Sequence, residues 1–138
     1  LGTEAEVNAL KSFGTNFGMT FQLIDDAIDY SSSKKILGKN TGDDFKEGKI
    51  TLPIILAYGR STDKEKKFWE RTISKLNQND GDFEMALEII NKYQCIEDTL
   101  TRADHFSNVA VDSVDIFKDN IYKEKLVSLV TKSVSRIY

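Results

Sequence analysis

Apolar residues along this chain recur at steps of three and four and rarely alternate, which is the pattern of helices buried on one face. The first such run predicts a helix from about Glu4 to Ser31. At 100° per residue its Leu10, Phe13, Phe17, Phe21, Ile24 and Ile28 fall within an arc of roughly 80°, the expected core face. The stretch SSSKKILGKNTGDDFKEGK follows, rich in Gly, Ser, Asn and Asp, and reads as a loop long enough to suggest a functional role. A very apolar helix, ITLPIILAYG, comes next, with Pro53 in its first turn, where a missing N–H costs little. After Gly59, STDKEKKFWERTISKL offers a capping Ser or Thr ahead of acidic residues, then Phe68, Trp69, Ile73 and Leu76 on one side. NQNDGD reads as a turn. Three further helical segments complete the chain: FEMALEIINKY, CIEDTLTRADHFSNVAVDSVDIF and NIYKEKLVSLVTKSVSRIY. Leu126, Leu129, Val130, Val134 and Ile137 form the expected core stripe of the last. The fold class is all-α, a single helical domain over 1–138, with 1–60 holding the candidate chemistry and 61–138 the C-terminal helices.

Composition narrows the function classes. The chain has 138 residues, 40% of them hydrophobic and 30% charged, with a formal net charge of -3. That is enough chain for one core, and the balance gives no basic field to attract nucleic acid. No apolar run approaches the roughly 20 residues that span a bilayer. The opening LGTEAEVNALKS lacks signal-peptide architecture, so a cytoplasmic location is expected. The single cysteine, Cys95, reads as a core residue. The single histidine, His105, has no second ligand at helical spacing, which leaves zinc chemistry and a Ser-His-Asp triad without support.

The chemistry concentrates at the end of the first helix. Opposite its core face lie Lys11, Thr15, Gly18, Gln22, Asp25, Asp26 and Asp29, within an arc of about 100°. Gly14 and Gly18 each cost up to about 1 kcal/mol against Ala, which suggests close approach by another helix or a substrate. Asp25 and Asp29 are like charges at i,i+4, and Asp26 and Asp29 at i,i+3, each pair destabilising by about 0.2 to 0.5 kcal/mol. All three also stand near the negative end of the helix dipole. A solvated acidic helix end is one reading. The other is a hard divalent cation that turns repulsion into coordination, and magnesium suits one or two carboxylates together with waters and phosphate oxygens. Lys39 and Lys49, with glycines at 38, 42 and 48, allow the following loop to curl ammonium groups towards the acidic face. Cations beside magnesium carboxylates imply a highly charged anion, and diphosphate is the natural candidate. The glycines form neither a Walker pattern nor GxGxxG.

The stretches FGTNFGMTFQLIDDAIDY and LGKNTGDDFKEGKITLPIILA resemble the second aspartate-rich motif and lysine-bearing loop of the trans-isoprenyl diphosphate synthases, the polyprenyl synthetase family. The form GKNxGDD with EGKxTLP is similar to bacterial long-chain enzymes that make octaprenyl or decaprenyl chains for quinones. The resemblance is strong over 1–60 and weaker afterwards, where length, helicity and Arg136 carry it. It implies the C-terminal portion of the isoprenoid synthase helical fold and a magnesium-dependent prenyltransferase that condenses an allylic diphosphate with isopentenyl diphosphate. Asp25 and Asp26, and Asp29 through water, would hold magnesium. Asp25, Asp26 and Lys39 would carry catalysis. Gln22, Lys39, Asp44 and Lys49 would serve the diphosphate, Asp44 by orienting the lysines or metal-bound water. A complete enzyme of this kind is roughly twice as long. It has a first aspartate-rich motif, a basic site for isopentenyl diphosphate and a Lys-Thr pair that this sequence does not contain. The expectation is therefore a C-terminal half whose partner is the missing N-terminal half, inactive alone, from a family that is usually homodimeric. A noncatalytic helical subunit or interaction domain that pairs with a synthase chain is the alternative.

Overall fold

The computed structural model describes residues 2–31 and 42–137, the side chain of Ile137 excepted. Helix α1 spans Glu4–Asp29, and Asp43–Lys46 forms the single turn α2. Helix α3 is Leu52–Arg60, α4 is Asp63–Trp69, and a π-helical turn continues α4 over Glu70–Ser74. Then come α5 over Asp82–Lys92, α6 over Cys95–Ser113 and α7 over Ile121–Val134, which ends in a 3-10 turn, Ser135–Ile137. Among the described residues there is no strand, as the periodicity predicts. The chain divides into two compact units, Leu1–Ile24 with Leu100–Tyr138, and Asp25–Thr99.

In the Asp25–Thr99 unit the core gathers Tyr30, Phe45, Ile54, Ala57, Phe68, Trp69, Ile73, Ala86, Ile89, Ile90 and Cys95. Local signals set its helices. Pro53 occupies the first turn of α3. Thr62 caps α4 in a full capping box, its hydroxyl accepting from the Glu65 amide while the Glu65 carboxylate accepts from the Thr62 amide. The Trp69 indole donates to Ser61 Oγ, which donates in turn to the Ala57 carbonyl, so the polar atoms of these two side chains are paired inside. The π turn closes when the Lys75 amide reaches back to the Glu70 carbonyl, and the chain then turns through Leu76 at φ 52°. Arg71 grips Asp82 with two parallel bonds of 2.8 and 2.9 Å and ties this turn to the start of α5. Cys95 is a core residue, as expected, and burial pushes its thiol up against the opposing effect of Arg60.

In the other unit Phe13 of α1 packs with Ala110, Val114 and Val130, flanked by Phe17, Val111, Phe117, Leu126 and Val127. Ser12 Oγ and Ser113 Oγ lie 2.7 Å apart, and Thr20 Oγ1 donates to the Asn16 and Ala103 carbonyls. One expectation for α1 is corrected. Leu10 and Phe21 share the arc of Phe13 but remain 48% and 46% exposed, because the packed side chains of α6 and α7 centre on Phe13 and cover only part of that face. Phe21 instead presents its ring to the Arg136 guanidinium at 4.8 Å. Leu129 is likewise exposed, whereas its neighbour Val130 is buried. Apart from the backbone of α1 itself, a Cβ at Gly14 or Gly18 would meet no described atom within 4 Å, which leaves that face open to a neighbour or a substrate.

Candidate active site

The acidic end of α1 is covered, not solvated. Asp26 and Asp29 are each 6% exposed and Asp25 is half-buried. Two backbone amides fasten the chain at this point: Gly42 N donates to the Asp29 carbonyl at 3.3 Å, and Asp44 N donates to Asp29 Oδ2 at 3.0 Å. The carboxylate of Asp29 thus sits at the start of α2, where free amides and the positive end of the peptide dipoles favour an anion. From Asp44 the chain closes on itself. The Lys49 amide donates to the Asp44 carbonyl at 2.8 Å, and Lys49 Nζ lies 3.6 Å from Asp44 Oδ1.

Glycine makes this return path possible. Gly42 and Gly48 have φ of +82° and +66°, and their faces press on the Phe83 ring and on Leu76. The Phe45 ring enters the core 5.7 Å from Phe83, and Gln78 Nε2 donates to the Phe45 and Thr72 carbonyls. Segment 42–49 is therefore fastened to α1 on one side and to the π turn and α5 on the other.

The charges fit the geometry. Asp44, the largest cause, and then Asp26 raise the Lys49 ammonium above its ordinary value, so a cation and two carboxylates share one electrostatic neighbourhood. Tyr30 lies among the same groups. Burial first, then Asp44, Asp29 and Asp26, push its phenol well above the ordinary tyrosine value and keep it neutral. The structure thus brings together Asp26, Asp29, Asp44 and Lys49 of the sequence-predicted residues, with Asp25 on the same helix end. Gln22 is exposed one turn before Asp26 on α1, in the other unit. Lys39 lies outside the described residues. Among the described residues no three His, Cys, Asp or Glu side chains converge as a metal cage. Two adjacent carboxylates with a nearby ammonium fit a cation that completes its shell with water and phosphate oxygens, which is the habit of magnesium. Sequence reasoning did not single out Tyr30 and Thr51, both buried in this region. The signals available were an aromatic residue directly after the acid run and a threonine immediately before the apolar helix.

A family model described as polyprenyl synthetase matches residues 1–90. The chain belongs to the polyprenyl synthetase family. As a member of that family it is 36% identical to the octaprenyl diphosphate synthase of Haemophilus influenzae over 137 residues, 99% of this chain and 41% of that enzyme. The decaprenyl diphosphate synthase of Rhodobacter capsulatus superposes with a TM-score of 0.92 at 35% identity, covering 99% of this chain and 42% of that one. The polyprenyl synthase of Caulobacter crescentus, solved with calcium and isoprenyl diphosphate, gives 0.86 at 41% identity, over 97% of this chain and 41% of that one. This polyprenyl synthetase chain thus spans about two fifths of the length of the curated relatives it matches. The all-helical fold and the family expected from the aspartate-rich and GKNxGDD stretches are both borne out. No described helix is long and apolar enough to cross a membrane.

Proposed function

We propose that this chain supplies one wall of a prenyltransferase site, the wall that grips the diphosphate of an allylic substrate while isopentenyl diphosphate is added to it. The observation that carries the reading is the return of segment 42–49 to the end of α1, with Lys49 beside Asp44 and within the influence of Asp26. The calcium and isoprenyl diphosphate bound by the Caulobacter relative support the same ligand chemistry here.

In this reading Asp25 and Asp26 would hold magnesium, with Asp29 assisting through water. A magnesium ion held there would supply charge stabilisation for the departing diphosphate. Lys49 neutralises phosphate oxygens as a compact point charge, and Lys39 is proposed to do the same. Asp44 aims the Lys49 ammonium, and Gln22 faces the substrate from α1. The allylic C–O bond breaks with its electron pair leaving on the diphosphate, the double bond of isopentenyl diphosphate forms the new C–C bond, and a proton is lost to regenerate an allylic product. No side-chain nucleophile is required, in keeping with the buried Cys95. We further propose a homodimeric, cytoplasmic enzyme when the whole synthase is assembled.

Because the chain spans two fifths of its relatives, a second reading is a helical subunit that acts by pairing with a synthase chain. Calorimetric titration of inorganic diphosphate into the chain tests the site. Binding should require magnesium and weaken at least about tenfold in Asp25→Ala and in Asp26→Ala, the loss of a charge-assisted contact. Equal binding by the parent and both variants would sink the proposal. The pure chain should not turn over farnesyl and isopentenyl diphosphates; turnover would overturn both the one-wall reading and the pairing subunit.

A further inference from the structure

We infer that Asp29 is a positioning residue, whose carboxylate sets Lys49 for diphosphate by fastening segment 42–49 to the end of α1. The inference rests on the reading of Lys49 as a diphosphate ligand, but the chain of contacts is independent of any cation. Asp29 receives the returning backbone twice, through its carbonyl from Gly42 N and through Oδ2 from Asp44 N. Asp44 then holds Lys49 twice, through its carbonyl to the Lys49 amide and through Oδ1 to the ammonium at 3.6 Å. Nothing in this relay is loose. The Gly42 carbonyl accepts from Lys46 N at 3.0 Å and closes α2, the Phe45 ring is buried, and Gln78 holds the Phe45 carbonyl from the far side. Asp29 itself is 6% exposed, so its bond to the Asp44 amide is little contested by water.

The chemistry separates two uses of one side chain. Anchoring an amide needs an acceptor oxygen, which asparagine also has; attracting a cation needs the negative charge, which asparagine lacks. The position of Lys49 should therefore survive Asp29→Asn and be lost in Asp29→Ala.

Amide hydrogen exchange of the 138-residue chain without magnesium or diphosphate tests the anchor. Exchange at Asp44 N should rise roughly tenfold in Asp29→Ala, the worth of a hydrogen bond to a charged group, and less than about threefold in Asp29→Asn. Unchanged exchange in Asp29→Ala, or equal acceleration in both variants, overturns the inference. Retained far-UV helicity distinguishes local release from failure to fold. A second readout follows Lys49: in magnesium with inorganic diphosphate, Asp29→Ala and Lys49→Ala should each weaken binding, and the double variant should bind no more than about threefold worse than either, because the two act as one unit. Fully additive losses overturn it. Failure of the parent to bind counts against the functional reading alone, and the exchange result then decides the inference.

Discussion

A Cβ built at Gly48 would lie 2.4 Å from Leu76 Cδ2 and 2.9 Å from the Ile73 carbonyl oxygen, at a φ of +66° that side chains avoid. Gly42 has a similar φ, but the atoms a Cβ would meet there belong to the half-buried Phe83 ring, which can swing aside. Both substitutions to alanine should destabilise the chain, Gly48→Ala by about 1 to 3 kcal/mol and by more than Gly42→Ala, because a backbone carbonyl yields less than a ring. Urea unfolding of the two variants checks this, and a larger fall for Gly42→Ala would contradict it. From the sequence these glycines read only as freedom for a loop to curl; their contacts are with residues 25 or more positions away, which no local pattern contains. The same holds for Asp26 and Asp29. Helical projection puts them on the polar side of α1 but cannot tell that both are buried, or that a segment 15 residues on returns to bond Asp29.

At the scale of elements, the helices and their turns were legible wherever a local rule fixed them. Pro53 at the start of α3 and the Thr62 to Glu65 box at the start of α4 fall where their types predict. The π turn over Glu70–Ser74 was not legible, since the residues that wrap it, Arg71 to Asp82 and Gln78 to Thr72, bond across a turn whose shape the periodicity does not encode. The Glu65 box also reaches beyond its own helix. The Glu65 carboxylate accepts from Lys92 Nζ and Tyr93 Oη at 2.8 Å, and Lys92, followed by the Thr62 amide, holds its carboxyl down to about 2 from an ordinary 4.5. A carboxyl depressed in the folded state stabilises fully above its unfolded pKa and loses that stabilisation as pH falls towards the folded one. The window is therefore about pH 4.5 down to about 2. Glu65→Gln should be less stable than the parent at neutral pH, and the gap should narrow through that window in acid urea titrations. A gap that stays constant with pH would show that the carboxylate charge contributes nothing to the junction of α4 with α5.

At the scale of the whole molecule, the sequence pointed to a family through two short stretches, and the family carries the fold of the entire chain, since relatives cover 97 to 99% of it. It did not reveal that the chain divides into two compact units, because the division falls inside α1 and α6, where helical periodicity runs on without a break. The acidic end of α1 opens the Asp25–Thr99 unit, and this makes stability a reporter of the proposed site. Asp26, Asp29 and Asp44 repel diphosphate offered alone, and a few carboxylates without phosphate oxygens hold magnesium weakly. Offered together, each ligand removes the obstacle to the other, and this mutual assistance is a coupling free energy that must be equal in both directions. A ligand pair that binds only the folded chain stabilises it by about 2.7 kcal/mol at a hundredfold excess over its Kd. For a chain of this size that corresponds to a rise in Tm of very roughly 5 to 10 °C. Melting should therefore respond little to magnesium or to diphosphate separately and clearly to the two combined, and the combined shift should disappear in Asp25→Ala/Asp26→Ala. If diphosphate alone produced the full shift, the carboxylates would be spectators and the anion would be held by lysines only. If magnesium alone produced it, the acidic end of α1 would be a self-sufficient cation site with no need of a phosphate to complete it.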